Sequence, residues 1–107
     1  MMEHLLFLCS RNRFRSPTAE EIFRDEPGLS TDSAGLAADA EVPLSRDQVE
    51  WADVILCMEP IHRRRLQRKF GKLLREKKVV VLGIPDNYEA MDPALIRLLR
   101  RRCQPYL

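Results

Sequence analysis

Cysteine is scarce in this 107-residue chain: Cys9, Cys57 and Cys103 only. The number is odd and no two have C-x-x-C spacing, which argues against a disulfide framework and against a structural zinc site. A reducing, cytoplasmic setting is the simpler expectation. Long apolar runs are missing at the N-terminus, where the run is four residues, Leu5 to Leu8. That is too short for the apolar region of a signal peptide or for a membrane span, so neither is expected. There is no internal repeat and no low-complexity tract. Aromatic residues are few, at 7%, and do not alternate with the basic ones, so single-stranded nucleic acid is not an expected partner.

What is present is a chain of one-domain length, 45% hydrophobic and 32% charged, as soluble globular domains are. The net charge of +2 is unevenly placed. Residues 1–58 hold 5 Arg against 11 Asp/Glu, net −6, and residues 59–107 hold 13 Lys/Arg against 5 Asp/Glu, net +8. Such asymmetry fits an acidic partner, nucleic acid or a solvated helix face.

Residues 4–9, HLLFLC, read as a buried strand. Ser16-Pro17 opens a helix, with Ser16 as N-cap and Pro17 at the first helical position, and Pro27-Gly28 ends it. Residues 29–34 read as a second strand, 36–44 as a loop, and 45–51 as a short helix. Residues 53–58, DVILCM, are an apolar strand. A basic amphipathic helix is expected over 60–77, with Leu66, Phe70, Leu73 and Leu74 on its apolar face and Gly71 as its weak point. Residues 78–82 form a strand, 83–93 a loop, and Asp92-Pro93 starts a last helix. Apolar strands alternating with helices predict an α/β fold: a single-domain, three-layer arrangement with a four-stranded parallel sheet and helices on both faces. Ligands of such sheets bind at the carboxyl ends of the strands, where Cys9 and the loop after Leu82 both fall.

The segment LLFLCSRNRFRSPTAEEIF, residues 5–23, carries the most chemistry. Cys9 ends a strand, Arg15 follows six positions later, and a helix opens at once. A strand-to-helix loop aims backbone N–H groups inward and makes a nest for an anion. The same positive field stabilises a thiolate. Arg15 can hold two oxygens of a tetrahedral oxyanion, and Ser16 can donate to the sulfur. C-x5-R spacing alone is weak, because 14 of the 107 residues are arginine; the strand, the following Ser and the helix sharpen it.

This segment resembles the active-site loop of the low-molecular-weight protein tyrosine phosphatases, C-x-G-N-x-C-R-S-P. Cys9, Asn12, Arg15 and Ser16-Pro17 fall in place. TDSAGL (31–36), ADVILCMEP (52–60) and GIPDNY (83–88) resemble, in order, three further motifs of that family. The resemblance implies a phosphomonoester hydrolase with a phosphate-binding loop after the first strand. Cys9 would be the nucleophile, Arg15 the phosphate holder and Asp86 the general acid. Ser10, Arg11, Asn12, Arg13, Phe14, Ser16 and Ser33 would form or support the loop, and Tyr88 would wall the cleft. It implies no cofactor and no metal. The expected partner is a phosphorylated protein or a small phosphomonoester, with no membrane or nucleic acid involved. Oligomeric state is left open.

The chain departs from the pattern in places. Arg11 replaces the loop glycine and would be strained if that position needed φ > 0. Phe14 replaces the second loop cysteine. Asn87 replaces the proline after the acid. Family members are about half as long again, and the residues missing here fall mainly after the first helix and between Gly35 and Ala52, so a shallow, open site is expected. Two other readings stand beside the phosphatase. Arsenate reduction on the same scaffold would need Cys57, or Cys103 on a mobile tail, as a resolving thiol. A non-catalytic module would bind phosphate or an acidic partner.

Overall fold

In the computed structural model, which describes residues 2–107, four strands form an all-parallel sheet. The elements run β1 (Glu3–Cys9), α1 (Arg15–Phe23), β2 (Leu29–Gly35), α2 (Arg46–Trp51), β3 (Val54–Cys57), α3 (Pro60–Phe70), β4 (Lys78–Val81) and α4 (Pro93–Cys103). A 3-10 turn over Gly71–Leu74 follows α3. The spatial order is β2-β1-β3-β4.

The short apolar run explains the central strand. Leu5, Leu6, Phe7 and Leu8 are all fully buried, because β1 is covered on both faces and its alternating side chains enter two separate cores. Leu5, Phe7 and Cys9 pack with Phe23 of α1 and with Leu95, Leu99 and Cys103 of α4. Leu6 and Leu8 pack with Val49, Ile55, Cys57 and Leu66, toward α2 and α3. Each face is therefore layered by two helices. From β1 the chain crosses to β2 on one side and then to β3 on the other, so the order switches beside β1. A ligand crevice opens at the carboxyl ends of the strands at such a point, and Cys9 is the last residue of β1.

Several local expectations need correction. The first helix begins at Arg15, one residue before the expected cap, and its N-cap is Phe14, with no side-chain capping bond. Ser16 is inside the helix because its hydroxyl is engaged elsewhere. The basic helix α3 stops at Phe70 and tightens into the 3-10 turn at Gly71, where glycine is a poor helix former. Cys103 is no part of a mobile tail. It lies fully buried at the end of α4, four residues beyond Leu99 and eight beyond Leu95, on one helical stripe. Asp92 caps α4 as expected, accepting from the Ala94 N–H at 2.9 Å ahead of Pro93. Ser45 caps α2 in a reciprocal box with Gln48.

Gly35 is the position at which the fold depends on a missing side chain. A Cβ there would lie 2.6 Å from the Ser10 carbonyl oxygen and 2.5 Å from the Ala40 Cβ. The backbone after Cys9 can pass this close only over glycine. Residues 36–44 then lie against the Cys9 loop: Leu36, Ala37 and Glu41 donate their N–H groups to the carbonyls of Cys9, Ser10 and Arg11 at 3.0, 2.8 and 2.9 Å.

Candidate active site

The segment from Cys9 to Arg15 bridges the end of β1 and the start of α1. The Cys9 side chain is buried, at 3% exposure. Its Sγ lies 2.9 Å from Ser16 Oγ and accepts the Asn12 N–H at 3.2 Å. Asn12 explains the turn. It has φ of 57°, a left-handed conformation that Asn tolerates better than most residues. Its Nδ2 donates to Ser16 Oγ and to Ser33 Oγ, both at 2.9 Å. Because Ser16 Oγ accepts from Asn12, its own proton is available for the sulfur, and the chain of donors runs Asn12 to Ser16 to Cys9. Ser33 in turn lies 2.5 Å from Glu20 Oε1. Arg11 is not at positive φ: the non-glycine residues with positive φ among those described are Asn12 and Met91. The strain expected at Arg11 falls instead on its neighbour, whose side chain suits it.

Arg15 is buried, at 3% exposure. Its Nη1 donates to the Ile84 carbonyl at 2.9 Å and pairs with the Glu59 carboxylate. Its Nε lies 3.5 Å from Asp86 Oδ1. The three candidate catalytic residues meet around one cavity of about 550 Å3, whose lining includes Cys9, Ser10, Arg11, Arg15, Arg65 and Asp86. Arg13, Phe14, Ala37 and Asp39 also line it. Arg13 is exposed and its Nε lies 3.3 Å from Glu41 Oε1. Tyr88 does not line the cavity. It packs, half-buried, against the core shared with α1 and α4, because an apolar ring on the loop gains more from that core than from the open mouth.

Two residues of the site escaped the sequence reading. Glu59, in the MEP of the third motif, clamps Arg15. His62, one turn into α3, is fully buried. Its Nδ1 accepts the Glu59 N–H at 3.0 Å, so the ring proton sits on Nε2 and is donated to Ser10 Oγ at 3.0 Å. Burial, with the Arg15 charge beside it, pushes its pKa down to about 4, and the neutral ring is a fixed brace for Ser10.

Neither of the other thiols lines the cavity. Cys57 points into the core on the α2/α3 face, whereas Cys9 belongs to the opposite one. Cys103, the last residue of α4, is fully buried in the core that also takes Cys9. Burial raises both thiols to about 12, and all three cysteines are free. Among the described residues no three of His, Cys, Asp and Glu are grouped as ligands of a metal would be, and no helix is long and apolar enough to cross a membrane.

Against solved structures, the chain superposes on a low-molecular-weight protein tyrosine phosphatase of Streptococcus pyogenes with a TM-score of 0.81, at 17% identity over 99% of this chain and 91% of that one. The fold is that of the low-molecular-weight protein tyrosine phosphatases. The tyrosine phosphatase Wzb of Escherichia coli K30, solved with phosphate, gives a TM-score of 0.78 at 22% identity, covering 99% and 96% of the two chains. The arginine phosphatase YwlE of Geobacillus stearothermophilus gives 0.66 at 18%, covering 96% and 84%. No family model matches the chain, and no curated protein matches it in sequence.

Proposed function

We propose that residues 1–107 act as one cysteine-dependent phosphatase unit of the low-molecular-weight tyrosine phosphatase family, hydrolysing a phosphomonoester through a cysteinyl-phosphate. The observation that carries this reading is the convergence of Cys9, Arg15 and Asp86 on one cavity, with Ser16 aimed at the sulfur. Cys9, as thiolate, attacks phosphorus and displaces the ester oxygen. Arg15, through Nε and Nη2, and the loop amides hold the non-bridging oxygens and stabilise the charge that develops on them. Asp86 gives its proton to the leaving oxygen, then takes one from the water that splits the thiophosphate, so inorganic phosphate leaves and the thiolate is restored. Ser16 stabilises the sulfur when it leaves. The substrate is a phosphorylated protein or small phosphomonoester, and a cytoplasmic setting suits a site that depends on a reduced thiol.

Arsenate reduction on this scaffold is disfavoured, because neither remaining thiol faces the cavity. The test is hydrolysis of para-nitrophenyl phosphate at mildly acidic pH with no metal added, wild type beside Cys9→Ser. Turnover in the wild type and none in the variant is the expected result. A folded wild type that binds vanadate without turning over substrate would replace the enzyme by a phosphate-binding module.

A further inference from the structure

The cavity over Cys9 continues past its rim in two directions of opposite charge. Ala37 and Arg65 also line a groove of about 400 Å3 that runs along α3 past Arg68 and Lys69. Arg65, Arg68 and Lys69 stand at i, i+3 and i+4, one exposed helix face. Among the described residues none of the three forms an ion pair with a carboxylate of the chain. On the other side, Arg13 and Phe14 also line a groove of about 630 Å3 that carries Glu20, Asp32 and Glu41. There Arg13 is paired with Glu41, so those two charges offset each other, and Glu20 and Asp32 carry the net negative charge of the groove. The mouth is thus basic toward α3 and acidic toward the β2 side.

We propose that the substrate is a phosphorylated polypeptide segment whose acidic flank lies along the α3 groove. This rests on the phosphatase reading of the Cys9 loop. An extended groove with cations spaced along a helix suits a chain that carries successive carboxylates better than a compact dianion. The acidic rim opposite repels carboxylates on the other flank, so the segment has one favoured direction. The uneven charge of the sequence gains a purpose here, since α3 supplies the basic half of the groove.

The test is binding of phosphotyrosine peptides to full-length Cys9→Ser protein at low salt. One peptide carries two glutamates before the phosphotyrosine, one carries them after it, and one carries alanines. One of the two acidic peptides should bind about tenfold more tightly than the alanine peptide, and the other should show no gain. That preference should vanish in Arg68→Glu/Lys69→Glu, with each peptide ratio measured on a single variant so that general losses cancel. Equal binding of all three peptides, or a preference that survives the charge reversal, would overturn the proposal. So would displacement of the acidic peptide by fructose 1,6-bisphosphate or by oligouridylate at lower concentration than by the unlabelled peptide. Turnover of para-nitrophenyl phosphate by the wild type, measured separately, tells a failure of this proposal from a failure of the phosphatase reading.

Discussion

The two loops that meet over the cavity are built differently. In the Cys9 loop, Cys9, Asn12, Arg15 and Ser16 are each no more than 5% exposed, and each has at least one hydrogen-bond partner within 3.2 Å. In the loop after β4, the Asp86 side chain is 65% exposed and Pro85 and Asn87 beside it are exposed too. That loop is tied at its ends. The Ile84 N–H donates to Met58 O at 2.8 Å, Arg102 donates to Leu82 O at 2.8 Å, and the Met91 N–H donates to Thr18 Oγ1 at 3.0 Å. A group that must hold a developing charge is best fixed in advance, since reorganisation during reaction is then avoided. In the mechanism proposed above Asp86 follows a leaving oxygen, a task that suits a group held at its base and exposed at its tip.

This contrast can be broken at several points. The largest effect is expected from Cys9→Ser, which should remove turnover while leaving phosphate or vanadate binding measurable by titration. Asp86→Asn should lower turnover by about a hundredfold or more, with the larger loss for alkyl phosphates, whose leaving oxygen needs the proton most. Comparing para-nitrophenyl and alkyl phosphate rates checks this.

His62 lets the rigid side be titrated. Its pKa lies at about 4 in the fold against about 6.5 unfolded. Between those values the unfolded chain binds a proton that the folded one refuses. Stability should therefore rise with pH across that window and level off above it, by about 3 kcal/mol in all. Urea unfolding from pH 4.5 to 7.5 measures the slope, and His62→Gln should flatten it.

Asn12→Ala should cost about 2 kcal/mol of stability, because it removes two buried hydrogen bonds and leaves Ala at positive φ. Asn12→Gly, which relieves only the backbone, should recover about 1 kcal/mol of that loss. Thermal melts of the pair separate conformation from hydrogen bonding. The smallest effect belongs to the exposed loop: Arg102→Ala should cost about 1 kcal/mol and reduce turnover only where Asp86 is needed, so that the variant and Asp86→Asn are not additive in a double-mutant cycle.

The fold was legible because its strands are buried on both faces and read as unbroken apolar runs, as in VILC. The motif around Cys9 was legible because Cys, Asn, Arg and Ser fall within eight residues. Glu59 was in view within MEP, but its role depends on β3 lying beside β1, which brings it to a buried guanidinium 44 residues away. His62 left a signal that went unused: one histidine directly after a strand-end motif, on the inner side of a helix otherwise read as basic. For Ser16 the sequence offers two roles, a cap, because Ser-Pro opens many helices, and a donor to the sulfur; the hydroxyl engages Cys9 and Asn12 instead of the helix end. Cys103 could have been placed from the spacing of Leu95, Leu99 and Cys103. Tyr88 could not, since nothing in GIPDNY distinguishes a ring turned to the core from one turned to the cavity.

The most direct measurement is mass spectrometry of the wild-type protein quenched during turnover of para-nitrophenyl phosphate, with Cys9→Ser and Asp86→Asn beside it. A phosphate adduct on Cys9 in the wild type, absent from a Cys9→Ser protein without turnover and formed more slowly in Asp86→Asn, is the predicted result. Turnover that persists in Cys9→Ser, or an adduct on another residue, would contradict the account.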